Sequence, residues 1–258
     1  MKKSVLLLLA ILLLTLQFNV FAQETGTQTN VLAKEIIDKY VEAIGGKELL
    51  SGVENRTTIM RGDIMGQNVT IIIKQKWPNK LRQEIKSAGM DQVIVYNGEK
   101  AVMKAAGQSM DISGKELDAI QIEANMDLLF DPESFGIKLS YEGEALVDSI
   151  PAHKIKMTLP TGIRWFQFYD KETGLKLKEN KEMQTQMGLM EQDTFYYDYK
   201  EIEGKLYPFK IKQSVGPQSF EMNVSSVRIN TEMSDSIFEI EEEPVQQDSP
   251  ERESPEQE

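Results

Sequence analysis

Short runs of strand-forming residues, each closed by a tight-turn signal, recur through most of this chain and leave little choice of fold. Between Arg56 and Gly107 the runs are Thr57–Met65, Val69–Trp77, Lys80–Ser87, Asp91–Tyr96 and Glu99–Ala105. Gly66-Gln67-Asn68, Pro78-Asn79 and Asn97-Gly98 separate them, and Asn-Gly between apolar runs is a strong hairpin signal. Lys80–Ser87 alternates, with Leu81 and Ile85 on one side and Lys80, Arg82, Glu84 and Lys86 on the other. The second half repeats the pattern in Ile137–Tyr141, Ala145–Ser149, His153–Leu159, Ile163–Asp170, Leu175–Glu182, Thr194–Lys200, Leu206–Val215 and Ser219–Asn230. Strands at this spacing predict an antiparallel meander, and a sheet of so many strands curls.

Two segments leave the two-residue period. Leu32, Ile36, Ile37, Tyr40, Val41 and Ile44 share one helical face across Val31–Ile44, and Gly45-Gly46 stops the helix. Ser113 and Glu116 form a capping-box pattern ahead of Leu117, Ile120, Ala124 and Leu128, again at helical spacing. Asn125–Phe130 reads as the last turn of that helix and Asp131-Pro132 as its exit. Asp235–Phe238 reads as one helical turn. A helix with one apolar face must lay it against another element, and the hollow of a curled sheet offers the surface. The expected class is mainly β (α+β): a curved antiparallel sheet with helices covering its concave face.

The first residues set the compartment. Lys2 and Lys3 precede an apolar run from Val5 to Leu16, and Val20-Phe21-Ala22 follows. This is the layout of a secretory signal peptide, cut after Ala22; the run is short for a membrane span, which needs about 20 apolar residues. The chain has no cysteine, so disulfides and the N-terminal lipid anchor of a bacterial lipoprotein are both excluded. The expected organisation is a signal peptide at 1–22, a flexible leader at 23–30, one domain at 31–240 and an acidic disordered tail at 241–258. Removing the signal takes the net charge from -12 to -14, and residues 239–258 hold nine acids and one arginine, a local -8. The body is therefore mildly acidic, which argues against nucleic acid and against docking on anionic lipid surfaces.

Catalytic patterns are sparse. His153 is the lone histidine and lies in a predicted strand, where a half-buried structural role is the expectation. With no cysteine, a zinc site would need three carboxylates. The motifs H-E-x-x-H and G-x-S-x-G, a phosphate-binding glycine loop and an Asp-rich calcium loop are absent. No cofactor or metal is expected. The informative feature is instead an excess of bulky apolar groups. Ile163-Arg164-Trp165-Phe166-Gln167-Phe168-Tyr169 and Phe195-Tyr196-Tyr197-Asp198-Tyr199 carry them on both strand faces, where a sheet with one wet side alternates more cleanly. Methionines are numerous, and Met183, Met187 and Met190 cluster in one polar connection. Their flexible side chains suit variable apolar ligands.

Several segments, taken in order, resemble a known family. They are Ile36-Ile37-Asp38-Lys39-Tyr40 with Ala43-Ile44-Gly45-Gly46-Lys47, then Trp77-Pro78-Asn79-Lys80-Leu81-Arg82, then Tyr96-Asn97-Gly98-Glu99-Lys100. Tyr197-Asp198-Tyr199-Lys200, Tyr207-Pro208-Phe209 and Val227-Arg228-Ile229-Asn230 with Phe238 complete them. Together they resemble the LolA/LolB-like superfamily of outer-membrane lipoprotein-sorting proteins, in a Bacteroidetes-type envelope protein, over about residues 32–238. The resemblance implies an incomplete β-barrel of about 11 strands with helices over its concave side. It also implies a cavity for lipoprotein acyl chains, passed on to an outer-membrane acceptor. The acceptor's anchoring cysteine is absent here, which sides the chain with the soluble carrier. Similar segments also follow insulinase-like peptidase domains, whose zinc motif this chain lacks. The carrier-type helix arginine is missing too, since Lys34 and Lys39 are the basic residues of the first helix, and the acidic tail is outside the carrier pattern.

The expected function is that of a periplasmic, non-enzymatic lipid-binding protein, acting as a monomer on a lipid or lipoprotein acyl chain. The alternative is a periplasmic sensor or adaptor that binds a protein partner, such as an envelope peptidase or regulator, through the same half-barrel. Alternation nominates Ile71, Ile73, Trp77, Leu81, Val93, Val95, Trp165, Tyr197 and Phe209 as lining the cavity. Leu117, Ile120, Met126, Met183 and Met187 are the expected lid. A register error of one residue would invert a strand's whole set.

Overall fold

The computed structural model describes residues 28–64, 66–185 and 188–240. Residues 28–43 form helix α1, and Gly46–Ser51 form the short α2. Six strands follow: β1 Asn55–Ile64, β2 Gln67–Lys76, β3 Lys80–Ser87, β4 Met90–Tyr96, β5 Ala101–Ala105 and β6 Gln108–Ile112. Helix α3, Gly114–Ala124, and a helical turn at Pro132–Phe135 lead to the second set. That set is β7 Lys138–Val147, β8 Ile150–Thr158, β9 Arg164–Asp170, β10 Lys176–Thr185, β11 Gly188–Ile202, β12 Lys205–Val215 and β13 Gln218–Ile229, closed by a helical turn at Asp235–Phe238.

All the strands join one sheet in the order β6-β5-β4-β3-β2-β1-β13-β12-β11-β10-β9-β8-β7, every described pairing antiparallel. Two meanders therefore meet where the first strand pairs with the last. The free edges are β6 and β7, and the chain between them, carrying α3, crosses the open side. The result is the expected curved, unclosed barrel. It has 13 strands rather than about 11. One addition is β6, whose polar sequence Gln-Ser-Met-Asp-Ile is exposed at four of its five positions and carries no apolar alternation. Conversely, Ile137–Tyr141 and Ala145–Ser149 are not separate strands, because β7 runs through both with an irregular register between Tyr141 and Glu144.

Close approach between β1 and β13 tightens the curl. Their register slips between Ile59 and Met60, and Gly62 lies opposite Met222. A Cβ on Gly62 would stand 2.2 Å from the Glu221 carbonyl oxygen and 2.6 Å from the Met222 sulfur, so glycine is required by contact rather than by backbone angle.

The concave face is apolar and partly covered. Ala33, Ile36, Ile37 and Tyr40 of α1, with Ile44 just after it, pack on Leu139, Ile155, Met157, Trp165 and Tyr169 of β7, β8 and β9. Leu32, expected in that stripe, is exposed, and Ala33 takes the inward position. The helix also starts earlier than expected: residues 28–30 of the expected loose leader are helical, and Asn30 hydrogen-bonds Glu133 across the chain. Leu117 and Ile120 of α3 pack against Leu81, Tyr96, Ala101 and Ile112. Helix α3 stops at Ala124, not at Phe130, because Asn125 is extended and its side chain accepts the Asp127 N–H in a turn.

The convex face carries its own small core. Phe238 is buried against Val95 and Val102, with Val93, Met233, Ile237 and Ile240 around it. The segment after β13 is thus part of the fold. Phe238→Ala should cost about 3–5 kcal/mol, as for other buried aromatics. In a domain of this size that lowers Tm by roughly 6–20 °C, measurable by thermal melting followed by circular dichroism.

Candidate functional site

Cross-strand pairs fix which side chains share the hollow. Met60 lies opposite Ile71 and Ile71 opposite Ile85. Thr58 lies opposite Ile73, and Met60 opposite Val224. On β12, Ile211 lies opposite Met222. Thr58 apart, these residues form one apolar cluster with Val69, Tyr207, Phe209, Phe220, Val227 and Ile229. Ile64, Ile73, Ile85, Phe209, Ile211 and Phe220 within it are half-buried. Beyond the sheet, Val53 and Met126 are its other members. The apolar strip therefore lies beside α1 rather than beneath it, since the buried residues α1 packs on in the sheet are those of β7–β9. Both helices attach at the same end of the sheet. The Leu206 N–H donates to the Ile44 carbonyl, Lys39 reaches the Lys171 carbonyl, and the Met126 N–H donates to the Pro78 carbonyl. The other end, at the β1–β2 and β12–β13 hairpin tips, carries Ile64 and Phe220.

The wall opposite α3 is charged but neutralised. Glu179 of β10 is buried and meets Lys176 at 3.3 Å and Lys181 at 3.0 Å. Gln167 and Tyr196 donate to it, and Tyr169 donates to Gln167. Lys181 also pairs with Glu123 of α3 at 2.9 Å and stands 4.5 Å over the Trp165 ring. Lys176 stands over Tyr40 of α1 and Tyr196. This network ties both helices to β10. Burial would raise the Glu179 carboxyl, but the two lysines overcome it and hold it down from 4.5 to about 2. Burial pushes the hydroxyls of Tyr169, Tyr196 and Tyr199 up. On the convex face Glu84 collects Lys74, Arg82 and Lys86, which likewise outweigh its burial and lower it to about 2. A recess of about 370 Å³ on that face, lined by residues including Thr57, Lys74, Arg228 and Ser234, is separate from the hollow.

Five of the nine nominated lining residues stand on the concave side: Ile71, Ile73, Leu81, Trp165 and Phe209. Trp165 is packed beneath α1 and fills space. Val93 and Val95 face the opposite way, into the Phe238 core. Their strand is apolar on both faces, so alternation could not tell them from Ile94 and Tyr96, the inward pair. Tyr197 is also convex, stacked on Phe195 and hydrogen-bonded to Asp148. Trp77 sits in the β2–β3 turn, 53% exposed, and donates to Asp127 at 2.8 Å. Of the nominated lid, Leu117, Ile120 and Met126 do face the hollow's clusters. Met183 is not in a loop, since β10 and β11 extend as a hairpin with Met183 opposite Met190, and Met187 lies outside the described residues. The bulky residues on both faces of β9 and β11 have a simple cover. Lys154 lies over Phe166 and Phe168, Lys178 over Phe168 and Phe195, and Lys210 over Tyr197. Lysine stems shield the convex aromatics while their charges stay wet.

His153 is half-buried in β8, its ring 3.3 Å from the Tyr141 hydroxyl. Burial lowers its pKa, as does the charge of Lys171. Among the described residues no group of three His, Asp or Glu is placed to hold a metal, and no helix is long and apolar enough to cross a membrane.

Solved structures with this architecture exist. A LolA superfamily protein from Nitrosomonas europaea superposes with a TM-score of 0.55 at 13% identity, over 81% of this chain and 97% of its own. A domain assigned to outer-membrane lipoprotein sorting from Vibrio parahaemolyticus gives 0.54 at 12% identity, over 81% and 97%. The chain has a LolA-type fold. A DUF1329 family protein from Desulfovibrio piger shares it, with a TM-score of 0.53 at 17% identity over 80% and 97%. No family model matches the sequence, and no curated protein resembles it significantly. Within the LolA-type frame, the strip on β1, β2, β3, β12 and β13 is an apolar part of the concave face whose side chains are only half-buried.

The Glu179 network makes a pH prediction. A carboxyl lowered on folding contributes stability above its unfolded value of 4.5 and loses it as pH falls toward about 2. Breaking the buried ion group by Glu179→Gln should cost about 3–5 kcal/mol near pH 7. The difference from wild type should shrink toward zero near pH 2 in denaturant titrations across that range.

Proposed function

We propose that this protein is a periplasmic lipid-binding protein that performs no chemistry, carrying a lipoprotein acyl chain or another envelope lipid. The observation that carries this is the apolar strip of Ile64, Ile73, Ile85, Phe209, Ile211 and Phe220, half-buried on the concave face of the sheet. A continuous greasy surface of this kind marks a binding site. The LolA-type fold supports the reading, because one structure that shares it is assigned to outer-membrane lipoprotein sorting. The N-terminal segment ending at Ala22 supports export, with cleavage behind that residue.

The energetics suffice without a covalent step. Each buried methylene contributes about 0.8 kcal/mol, so a dozen supply on the order of 10 kcal/mol before ordering costs. The strip on β1 spans Arg56 to Ile64, roughly 27 Å at about 3.4 Å per residue. One leaflet occupies half of a bilayer core about 30 Å thick, so the strip is long enough for an acyl chain.

Native mass spectrometry of the mature protein, purified from a bacterial periplasm, should show a lipid-mass adduct that organic extraction removes. Ile211→Glu should abolish the adduct while leaving the circular dichroism spectrum unchanged, since the residue is only half-buried. A lipid-free wild-type protein held in a stable complex with another protein would overturn this reading and support an adaptor role.

A further inference from the structure

Among the described residues, one arginine of the hollow lacks a counter-ion. Arg56 of β1 lies opposite Gln75 of β2 and Ile229 of β13, on the same face as Thr58 and Met60. Its Nη2 donates to the Gln75 side chain, and its guanidinium lies 5.6 Å from the centre of the Tyr207 ring. Neither neighbour is an anion. Its Nε is buried and has no acceptor among the described residues. The buried acids of the sheet are all matched: Glu84 by Lys74, Arg82 and Lys86, Glu179 by Lys176 and Lys181, and Glu182 by Arg164. A half-buried guanidinium with an idle donor and no carboxylate is costly unless something else supplies the negative charge.

Its location says what could. Arg56 stands at the closed end of the apolar strip, where Gln75 also donates weakly to the Glu123 carbonyl at the end of α3. From there the strip rises through Met60 and Ile71 to Ile64 and Phe220 at the hairpin tips. A cation at the bottom and hydrocarbon walls above match one kind of molecule. We propose that Arg56 anchors the anionic head group of a single-chain amphiphile whose tail lies along the strip, so that the ligand is a fatty carboxylate or phosphate monoester held head-down. This rests on the lipid-binding reading above and narrows it, since an ester- or amide-linked acyl chain of a lipoprotein brings no such charge.

Isothermal titration of the delipidated mature protein with hexadecanoate, hexadecyl phosphate, hexadecan-1-ol and inorganic phosphate tests it. A charge-assisted hydrogen bond predicts that at least one of the two anionic amphiphiles binds about 10- to 100-fold more tightly than the alcohol. Arg56→Met should remove that preference and leave alcohol binding unchanged, whereas Arg56→Lys should keep part of it. Circular dichroism and thermal melting establish that each variant is folded; the wild-type preference stands as a test without them. Equal wild-type affinity for alcohol and both anions, or a preference that survives in folded Arg56→Met, overturns the anchor while the lipid reading stands. Inorganic phosphate binding as tightly as hexadecyl phosphate shows a plain anion site and overturns the amphiphile. If none of the three chain-bearing compounds binds, the lipid reading falls and the anchor falls with it.

Discussion

The pairing of β1 with β13 holds the molecule together. Each flanking meander is built from neighbours in sequence, so it can form locally. The β1–β13 ladder joins residues more than 150 apart, such as Thr57 with Arg228. Such a contact meets the largest chain-closure cost. It also places the hollow at the middle of the sheet, because β2 and β12 are the next strands out and their inward residues join the same apolar cluster. The slip at Ile59 and the missing side chain at Gly62 let the two strands approach and the sheet turn.

The two halves then use their concavity differently. The half from β7 to β10 is filled: α1 lies on it, and the Glu179 network adds buried charge that no acyl chain could replace at equal cost. The half from β1 to β6 receives α3, which is pinned mostly at its C-terminal end, through Glu123 to Lys181 and through the Met126 N–H to Pro78. Between them lies the strip on β1, β2, β12 and β13. The half-buried apolar surface therefore belongs to the junction, and α1 is a structural plug on the other half.

Much of this was legible in the chain. Turn chemistry located the β1–β2, β2–β3 and β4–β5 hairpins, β3 runs from Lys80 to Ser87 as read, and Asp235–Phe238 is the expected helical turn. The losses have one physical origin. Alternation assigns a face only when the other face is polar. Where the 233–240 segment covers the convex side, Val93 and Val95 are as apolar as Ile94 and Tyr96, and parity cannot be read. Where lysine stems cover aromatics, Tyr197 and Phe168 look like residues seeking a second core. The strand β6 escaped for the reverse reason, being an edge with little to bury. Arg56 was also missed, because a lone basic residue in a strand looks like ordinary solvent-facing alternation until the register places it beside Tyr207 and Gln75.

Hydrocarbon burial is non-directional, and a strip of isoleucine, phenylalanine and methionine therefore holds a chain without choosing its orientation or chemistry. Selectivity has to come from polar groups, and the hollow offers two kinds. The Glu179 cluster is complete in itself: its acid and its lysines satisfy one another and α3. A ligand that engaged it would have to break a buried ion pair and loosen the helix. Arg56 is incomplete, and engaging it breaks nothing. The same contrast bears on exchange. Disrupting Lys181–Glu123 would release one tie at the C-terminal end of α3, while Ile122 would still pack in the cluster that holds α1. An anion held by the proposed Arg56 anchor would complete the one guanidinium and leave the Glu179 network and the β1–β13 junction as they are.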